Sequence, residues 1–267
     1  LIPSQFRPAA LKVSNKLKSL KSYKKLPSAQ YDALPALKGQ LAYNRHGGYF
    51  LPESSLHRPA AQDIMNSGVF EPDTIDFMCA NCAGGDIIHA GTYFGDFLPA
   101  LSAACEPDAK IWAFEPNDEN FQCAQITTII NSLDNIVLHN SGLGETDGTL
   151  FVRAKDDMGR GLGGASYIVE ESDFDAATDQ KVGLIAIDNL IPAERNISLI
   201  QLDVEGHEQS VLAGGLETIK RCKPVLILEI IPGCDLLSND WFAENIASLG
   251  YKQHSVIHGI NVVLTAS

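Results

Sequence analysis

The sequence predicts an α/β protein: a mostly parallel sheet with helices on both faces, closed by an antiparallel hairpin at its carboxyl end. Three observations predict it. From residue 86 onward, short apolar runs alternate with stretches of helical periodicity, the pattern of strands joined by helical crossovers. The first run, DIIHA, leads into Gly91, Gly95 and a helix start, the corner where doubly wound proteins place a ligand. The chain finishes with two strand-like runs on either side of His258-Gly259, which reads as a closing hairpin.

In chain order, residues 1–45 read as an irregular, partly helical lead-in, and 49–52 and 69–72 as short apolar pieces ahead of the main domain. Residues 86–91 are the first strand, and 95–105 a helix with Leu98 and Leu101 inward. Residues 110–115 (KIWAFE) are the second strand. The next helix opens at Asn117, a side chain suited to accept hydrogen bonds from the first free backbone N–H groups. Phe121, Ile126, Ile129 and Ile130 are expected to give that helix its buried face. A third strand covers 135–139. Residues 148–154 alternate like an exposed strand, and 155–165 (KDDMGRGLGGA) form a charged, Gly-rich loop. Strand character resumes at 182–188. A fourth core strand spans 197–203, with a helix through about Ile219, and a fifth spans 223–230. A helix over 240–249 leads to the hairpin strands Tyr251–Ile257 and 260–264. The chain divides into an arm and lead-in over 1–70 and a main domain over 71–267.

Composition narrows the function. With 45% hydrophobic residues in 267, the chain can bury a proper core. The net charge of −13 argues against a nucleic-acid partner, which requires a basic face. No apolar run approaches the roughly 18 residues of a membrane-spanning helix. Residues 1–31 carry seven basic side chains and no acid. With Leu11, Leu17 and Leu20 they form either a solvated helix or a basic amphipathic arm with weak affinity for a membrane surface or an acidic partner. The six cysteines are irregularly spaced and no signal peptide is visible, so a reduced, cytoplasmic protein is expected. Cys79-Ala-Asn-Cys82 lacks a second pair and reads as two buried small residues; no metal is expected.

Candidate site residues follow from the strand ends. The first strand leaves Gly91. The second ends at Glu115, 24 positions on, where a carboxylate can accept from both hydroxyls of a ribose. The fourth leaves Asp203, followed by Val-Glu-Gly-His-Glu, and the fifth ends near Glu229. Singly, a Gly turn is also an ordinary tight turn and Glu115 also a surface acid. Their joint order within one α/β pattern is what points to a site.

DIIHAGTYFGDFLPAL, IWAFEPNDENF and LIQLDVEGHEQSVLAGG together resemble the FkbM family of S-adenosylmethionine-dependent methyltransferases, over roughly residues 85–265. The third segment is the most specific, carrying the family's aspartate-x-glutamate-glycine-x-glutamate run. The resemblance implies a seven-stranded, Rossmann-like methyltransferase sheet and S-adenosylmethionine as cofactor. It also implies methylation of a hydroxyl on a sugar or another small metabolite. Gly91 and Gly95 match the cofactor turn, Glu115 the ribose acid, and Asp203, Glu205, Gly206 and Glu208 the run after the fourth strand.

This chain departs from the family at His89, where an aspartate is usual, and at Thr92 and Tyr93, where alanine and asparagine are common. His89 and Thr92 are still expected to contact the cofactor, with His89 also supporting the turn through a hydrogen bond, and Asp203 is expected at the cofactor–substrate boundary. Asn117 beside Glu115, and Ser141 with Gly142 where related folds hold the adenine, complete the expected cofactor set. Asp203, Glu205 and His207 are the catalytic candidates, with Glu205 or His207 as base. In the alternative, Glu205 and Glu208 serve only a helix N-terminus and Asp96 only caps a helix. Glu229 either pairs structurally or lines the acceptor pocket, and the 155–165 loop with Arg160 is a lid or a connector. Two rival readings share the pattern. A nicotinamide-dependent oxidoreductase wants GxGxxG, which Gly91-Thr-Tyr-Phe-Gly95 does not provide, and a non-catalytic binding or scaffold protein can occupy the same fold.

Overall fold

Asp86–Ala90 (β3) is buried at every position, which requires a strand covered on both faces. Alternate side chains explain how. Ile87 enters one apolar cluster with Ile111, Leu199, Ile227 and Val263, while Ile88 and Ala90 enter another with Ile200, Leu202 and Leu228. In this computed structural model, residues 37–162 and 166–266 are described, and all belong to one unit, Leu37–Ser267. The basic arm and residues 163–165 of the Gly-rich loop lie outside the described residues.

The main sheet has seven strands. Its core is β3, Ile111–Phe114 (β4), Ile136–His139 (β5), Ile197–Leu202 (β10) and Val225–Glu229 (β11). Tyr251–Ile257 (β12) and Asn261–Ala266 (β13) complete it. The order is β12-β13-β11-β10-β3-β4-β5. Pairings from β11 through β10, β3 and β4 to β5 are parallel, and β13 runs antiparallel to both its neighbours. The chain leaves β3 toward β4 on one side and leaves β10 toward β11 on the other. The crevice between the carboxyl ends of β3 and β10 is therefore the switch point of the fold.

Pro72–Asn81 (α2) and Leu98–Ala104 (α3) cover one face through Ile75, Met78, Leu98 and Leu101. The other face is covered by Glu208–Ala213 (α6), Leu216–Cys222 (α7) and Asp240–Asn245 (α8). The single helix expected after the fourth strand is thus two, α6 and α7, broken at Gly214-Gly215. The break has a packing cause, since a Cβ on Gly214 would stand 2.0 Å from the Gly144 carbonyl oxygen.

Asp118–Asn131 (α4) opens where expected: the Asn117 side chain accepts from the Glu119 and Asn120 N–H groups. Its buried face differs from the expected one. Asn120, Cys123, Ala124 and Thr127 are buried, while Ile129 is 72% exposed. The partner explains this. Gly39–Asn44 (β1) and Gly47–Pro52 (β2), part of the lead-in expected to be irregular, form a hairpin that docks on α4 by its backbone. The Phe50 N–H donates to Thr127 Oγ1 at 3.1 Å, and Asn131 exchanges hydrogen bonds with Gly48. A backbone can approach that closely only over small or hydrogen-bonding side chains. Pro59–Met65 (α1) completes this layer, packing Ala60, Ala61 and Ile64 with Tyr49, Leu51, Phe94 and Cys123.

Between β5 and β10 the chain builds a second, four-stranded sheet. It contains Gly142–Leu143 (β6), Gly148–Arg153 (β7), Tyr167–Val169 (β8) and Asp179–Ile185 (β9), in the order β6-β9-β7-β8. The strand expected at 182–188 begins earlier and ends before Ile187–Leu190 (α5), a single helical turn. A bidentate ion pair, Arg153 to Asp179, ties β7 to β9. The thiols of Cys79 and Cys82 donate to carbonyls within the α2–α3 layer, the packing role expected of them. No helix among the described residues is long and apolar enough to cross a membrane.

Candidate active site

A crevice of about 360 Å³ opens at the switch point. The main sheet contributes its carboxyl ends as the floor. The second sheet supplies an apolar wall of Leu150, Val152, Val182 and Leu184, and the amino-terminal layer adds Arg58, Phe70 and Glu71.

The turn after β3 is locked from below. The N–H groups of Gly91 and Thr92 both donate to the Phe114 carbonyl, and Thr92 Oγ1 donates to the His89 carbonyl at 3.2 Å. Gly91 has φ of +86°, and a Cβ there would stand 2.1 Å from the Asp203 carbonyl oxygen. Glycine is required at this position because the β10 backbone crosses it. Three residues without that freedom, Glu71, Tyr93 and Glu205, also adopt positive φ and line the crevice. Such strain persists where the surroundings hold it, and it collects at functional sites.

Glu115, at the end of β4, is 5% exposed. Its carboxylate accepts from the Tyr93 N–H at 2.7 Å and the Asn117 N–H at 2.8 Å. Burial pushes its pKa up to about 7 despite these bonds, which pull it down. Oε1 also accepts a long bond from Asn120 Nδ2 at 3.5 Å, and Oε2, with Tyr93 as its one partner among the described residues, keeps a lone pair for a ligand.

His89 is 2% exposed and stacks on Phe97 with ring centroids 5.3 Å apart. Its Nδ1 meets Gln201 Oε1 at 2.5 Å. Since that oxygen only accepts, the proton sits on Nδ1, and Nε2 carries a bare lone pair. Burial lowers its pKa to about 4, so the ring is neutral at physiological pH. Nε2 is buried and has no hydrogen-bond partner among the described residues.

After β10, oxygens of Asp203, Glu205 and Glu229 lie within 4.8 Å of one another. The Asp203 carboxyl is held well above the usual carboxylate range, first by burial and then by Glu229 beside it. Glu205 is pushed up to about 7 by burial and by the Glu229 and Glu208 charges. Asp96 is raised to about 7 by burial and by Glu71. Glu229 shares a side-chain hydrogen bond with Asp203, and its Oε2 is buried with no partner among the described residues. His207 lines the crevice, with its pKa lowered by burial. Glu208 does the helix-start work instead, accepting from the Val204 and Gly206 N–H groups.

Eight of the residues singled out in the sequence therefore line one crevice: His89, Gly91, Glu115, Asn117, Gly142, Asp203, Glu205 and His207. Thr92, Gly95 and Ser141 do not line it. Thr92 braces the turn from inside, and a Cβ on Gly95 would meet Leu98, Thr127 and Ala124, so that glycine serves packing. Ser141 is 5% exposed and its hydroxyl has no partner among the described residues. Asp96 lines the crevice and not merely a helix end, and Glu229 lines it too. Arg160 pairs with Asp156 at 2.7 Å, away from the crevice.

The model of the methyltransferase FkbM domain matches residues 89–235, more than half of the chain. The chain belongs to the FkbM methyltransferase family. The FkbM match spans the Gly91 turn, Glu115 and the run from Asp203 to Glu208, and it leaves out the hairpin layer with Arg58 and Glu71. Among solved structures, the chain is similar to a methyltransferase FkbM from Methylobacillus flagellatus KT. Identity is 21% over 68% of this chain and 43% of that one, with a TM-score of 0.46. The present chain therefore spans less than half the length of that protein. It is also similar to a SAM-dependent methyltransferase from Aquifex aeolicus, at 14% identity over 80% of this chain and 96% of that one (TM-score 0.43). M. jannaschii TYW2, solved in complex with AdoMet, matches at 9% identity over 86% of this chain and 85% of that one (TM-score 0.48). No curated protein matches the chain.

Proposed function

We propose that this FkbM-family chain transfers a methyl group from S-adenosylmethionine to a hydroxyl of a sugar or another small metabolite. The observation that carries the reading is the convergence of Gly91, Glu115 and Asp203 on one crevice at the switch point.

The residues fit the cofactor. Glu115 offers its Oε2 lone pair to a ribose hydroxyl, a charge-assisted contact. His89 Nε2 is a buried acceptor in need of a donor, which an ammonium provides. Asp203, Glu205 and Glu229 crowd together so that ionising any of them is costly, and a sulfonium beside the cluster offsets that cost. When bound, the cofactor supplies an electrophilic methyl group.

The chain's own residues then position the acceptor and take its proton. Holding the reacting atoms at near-attack distance accounts for several kcal/mol of barrier. Two groups suit proton removal near neutral pH. Glu205, with a pKa of about 7, is poised to gain and lose a proton, and His207, its pKa lowered by burial, has no partner for Nε2 among the described residues. General-base help is worth about 10²–10⁴-fold.

Calorimetric titration with S-adenosylhomocysteine, with NAD as a parallel control, tests the reading. The expected result is micromolar binding of the first alone, weakened about tenfold or more in Glu115→Ala. Binding of NAD alone would overturn it. Binding with no transfer to any hydroxylated acceptor would favour a non-catalytic binding protein.

A further inference from the structure

Among the described residues, six acidic side chains line the crevice, from Glu71, Asp96, Glu115, Asp203, Glu205 and Glu229, and a single cation, Arg58. Arg58 makes no side-chain hydrogen bond or ion pair with any described residue, although it lines the same crevice as these acids. Every other arginine among the described residues has a polar side-chain contact: Arg45 with His46, Arg153 with Asp179, Arg160 with Asp156, Arg195 with Asp86, and Arg221 with the Arg195 carbonyl.

The position of Arg58 is built in. It immediately precedes α1, and its N–H donates to the Ser55 carbonyl at 2.9 Å. The helix it starts packs into the same apolar cluster as Phe94 of the turn after β3. Its charge reaches Tyr93 on that turn and Glu205 after β10. It thus stands over the switch point, contributed by a layer outside the 89–235 match.

We infer that Arg58 receives the carboxylate at the amino-acid end of the cofactor. This rests on the methyltransferase reading above. The argument is one of charge placement. The cofactor carries a sulfonium, an ammonium and one carboxylate. The two cationic groups suit a crevice lined with acids and the bare His89 Nε2. The carboxylate is repelled by whichever of these acids are ionised, and bringing it among them would raise their cost of ionising further. Among the described lining residues, Arg58 is the one place where it meets an opposite charge, and a guanidinium binds a carboxylate in bidentate fashion.

Calorimetry with two probes tests this on the full chain. S-adenosylhomocysteine has the amino-acid end, and 5′-methylthioadenosine lacks it. The wild type should bind the first more tightly. Arg58→Gln should weaken S-adenosylhomocysteine about tenfold to a hundredfold, leave methylthioadenosine unchanged, and so close the gap between the probes. Arg58→Lys, which keeps the charge without the fork, should fall between. Equal weakening of both probes, or S-adenosylhomocysteine affinity within twofold of wild type, would overturn the inference. If the wild type binds neither probe, the methyltransferase reading fails first. An unchanged thermal midpoint in Arg58→Gln serves as the folding control.

Discussion

Gly91 shows how one residue carries two constraints. Its φ of +86° and the 2.1 Å approach of the Asp203 carbonyl oxygen to its would-be Cβ each exclude a side chain. Gly91→Ala should therefore cost more than the usual penalty of about 1 kcal/mol for left-handed backbone. It should also separate β10 from the turn. The expected outcome is a protein with a markedly lower thermal midpoint and no measurable S-adenosylhomocysteine binding. A variant as stable as wild type would mean that the turn tolerates rearrangement. The sequence pointed to this glycine for a different reason, close approach of a ligand, whereas here the backbone of the neighbouring strand makes the approach. Glu115 and Asp203 were legible because each ends a strand whose pattern is plain. The His89–Gln201 pair was not, since its partners lie 112 residues apart and only β3–β10 register brings them together. Arg58 was illegible for a similar reason: nothing in its local sequence distinguishes it from a surface arginine.

At the scale of elements, the strands of the parallel sheet were readable because double burial forces continuous apolar runs. The face of α4 was misread because the hairpin meets it through backbone at Gly48 and Phe50 and through side chains clustered with the small Cys123, so no apolar stripe marks the contact. The loop-rich region between β5 and β10 hid the pairing of β6 with β9, a contact only two residues long. The amino edge of the main sheet carries a testable brace. Asp86 accepts from the Lys110 N–H and from Trp112 Nε1, both at 2.8 Å, and pairs with Arg195. Burial pushes its pKa up, but the Arg195 bond and the Lys110 and Trp112 bonds outweigh it and hold the pKa below the usual range. Asp86→Asn should lower stability by about 2–3 kcal/mol, read as a shift in denaturation midpoint, with S-adenosylhomocysteine affinity nearly unchanged because the brace lies at the opposite end of β3. Loss of affinity without loss of stability would contradict that separation.

For the whole molecule, the acid-lined crevice predicts how stability responds to pH. Asp96, Glu115 and Glu205 have folded-state values of about 7, against ordinary carboxylate values of about 4. Between about pH 4 and 7 the folded protein holds protons that the unfolded chain has released. Stability therefore falls as pH rises through this window. Asp86 and Asp179 have depressed values and act the other way. Their contribution is present above about pH 4 and is lost as pH falls through the folded value, about 2 for Asp179. The two sets do not overlap, so the thermal midpoint should peak on the acid side of neutrality and decline toward pH 8. Asp96→Asn should flatten the decline, because an amide keeps the acceptor without the charge. S-adenosylmethionine, which brings net positive charge into the crevice, should stabilise the protein more at pH 8 than at pH 5. A midpoint that climbs steadily from pH 5 to 8 in the ligand-free protein would show that the crevice acids ionise without strain. The electrostatic argument for a cationic occupant would then fall with them.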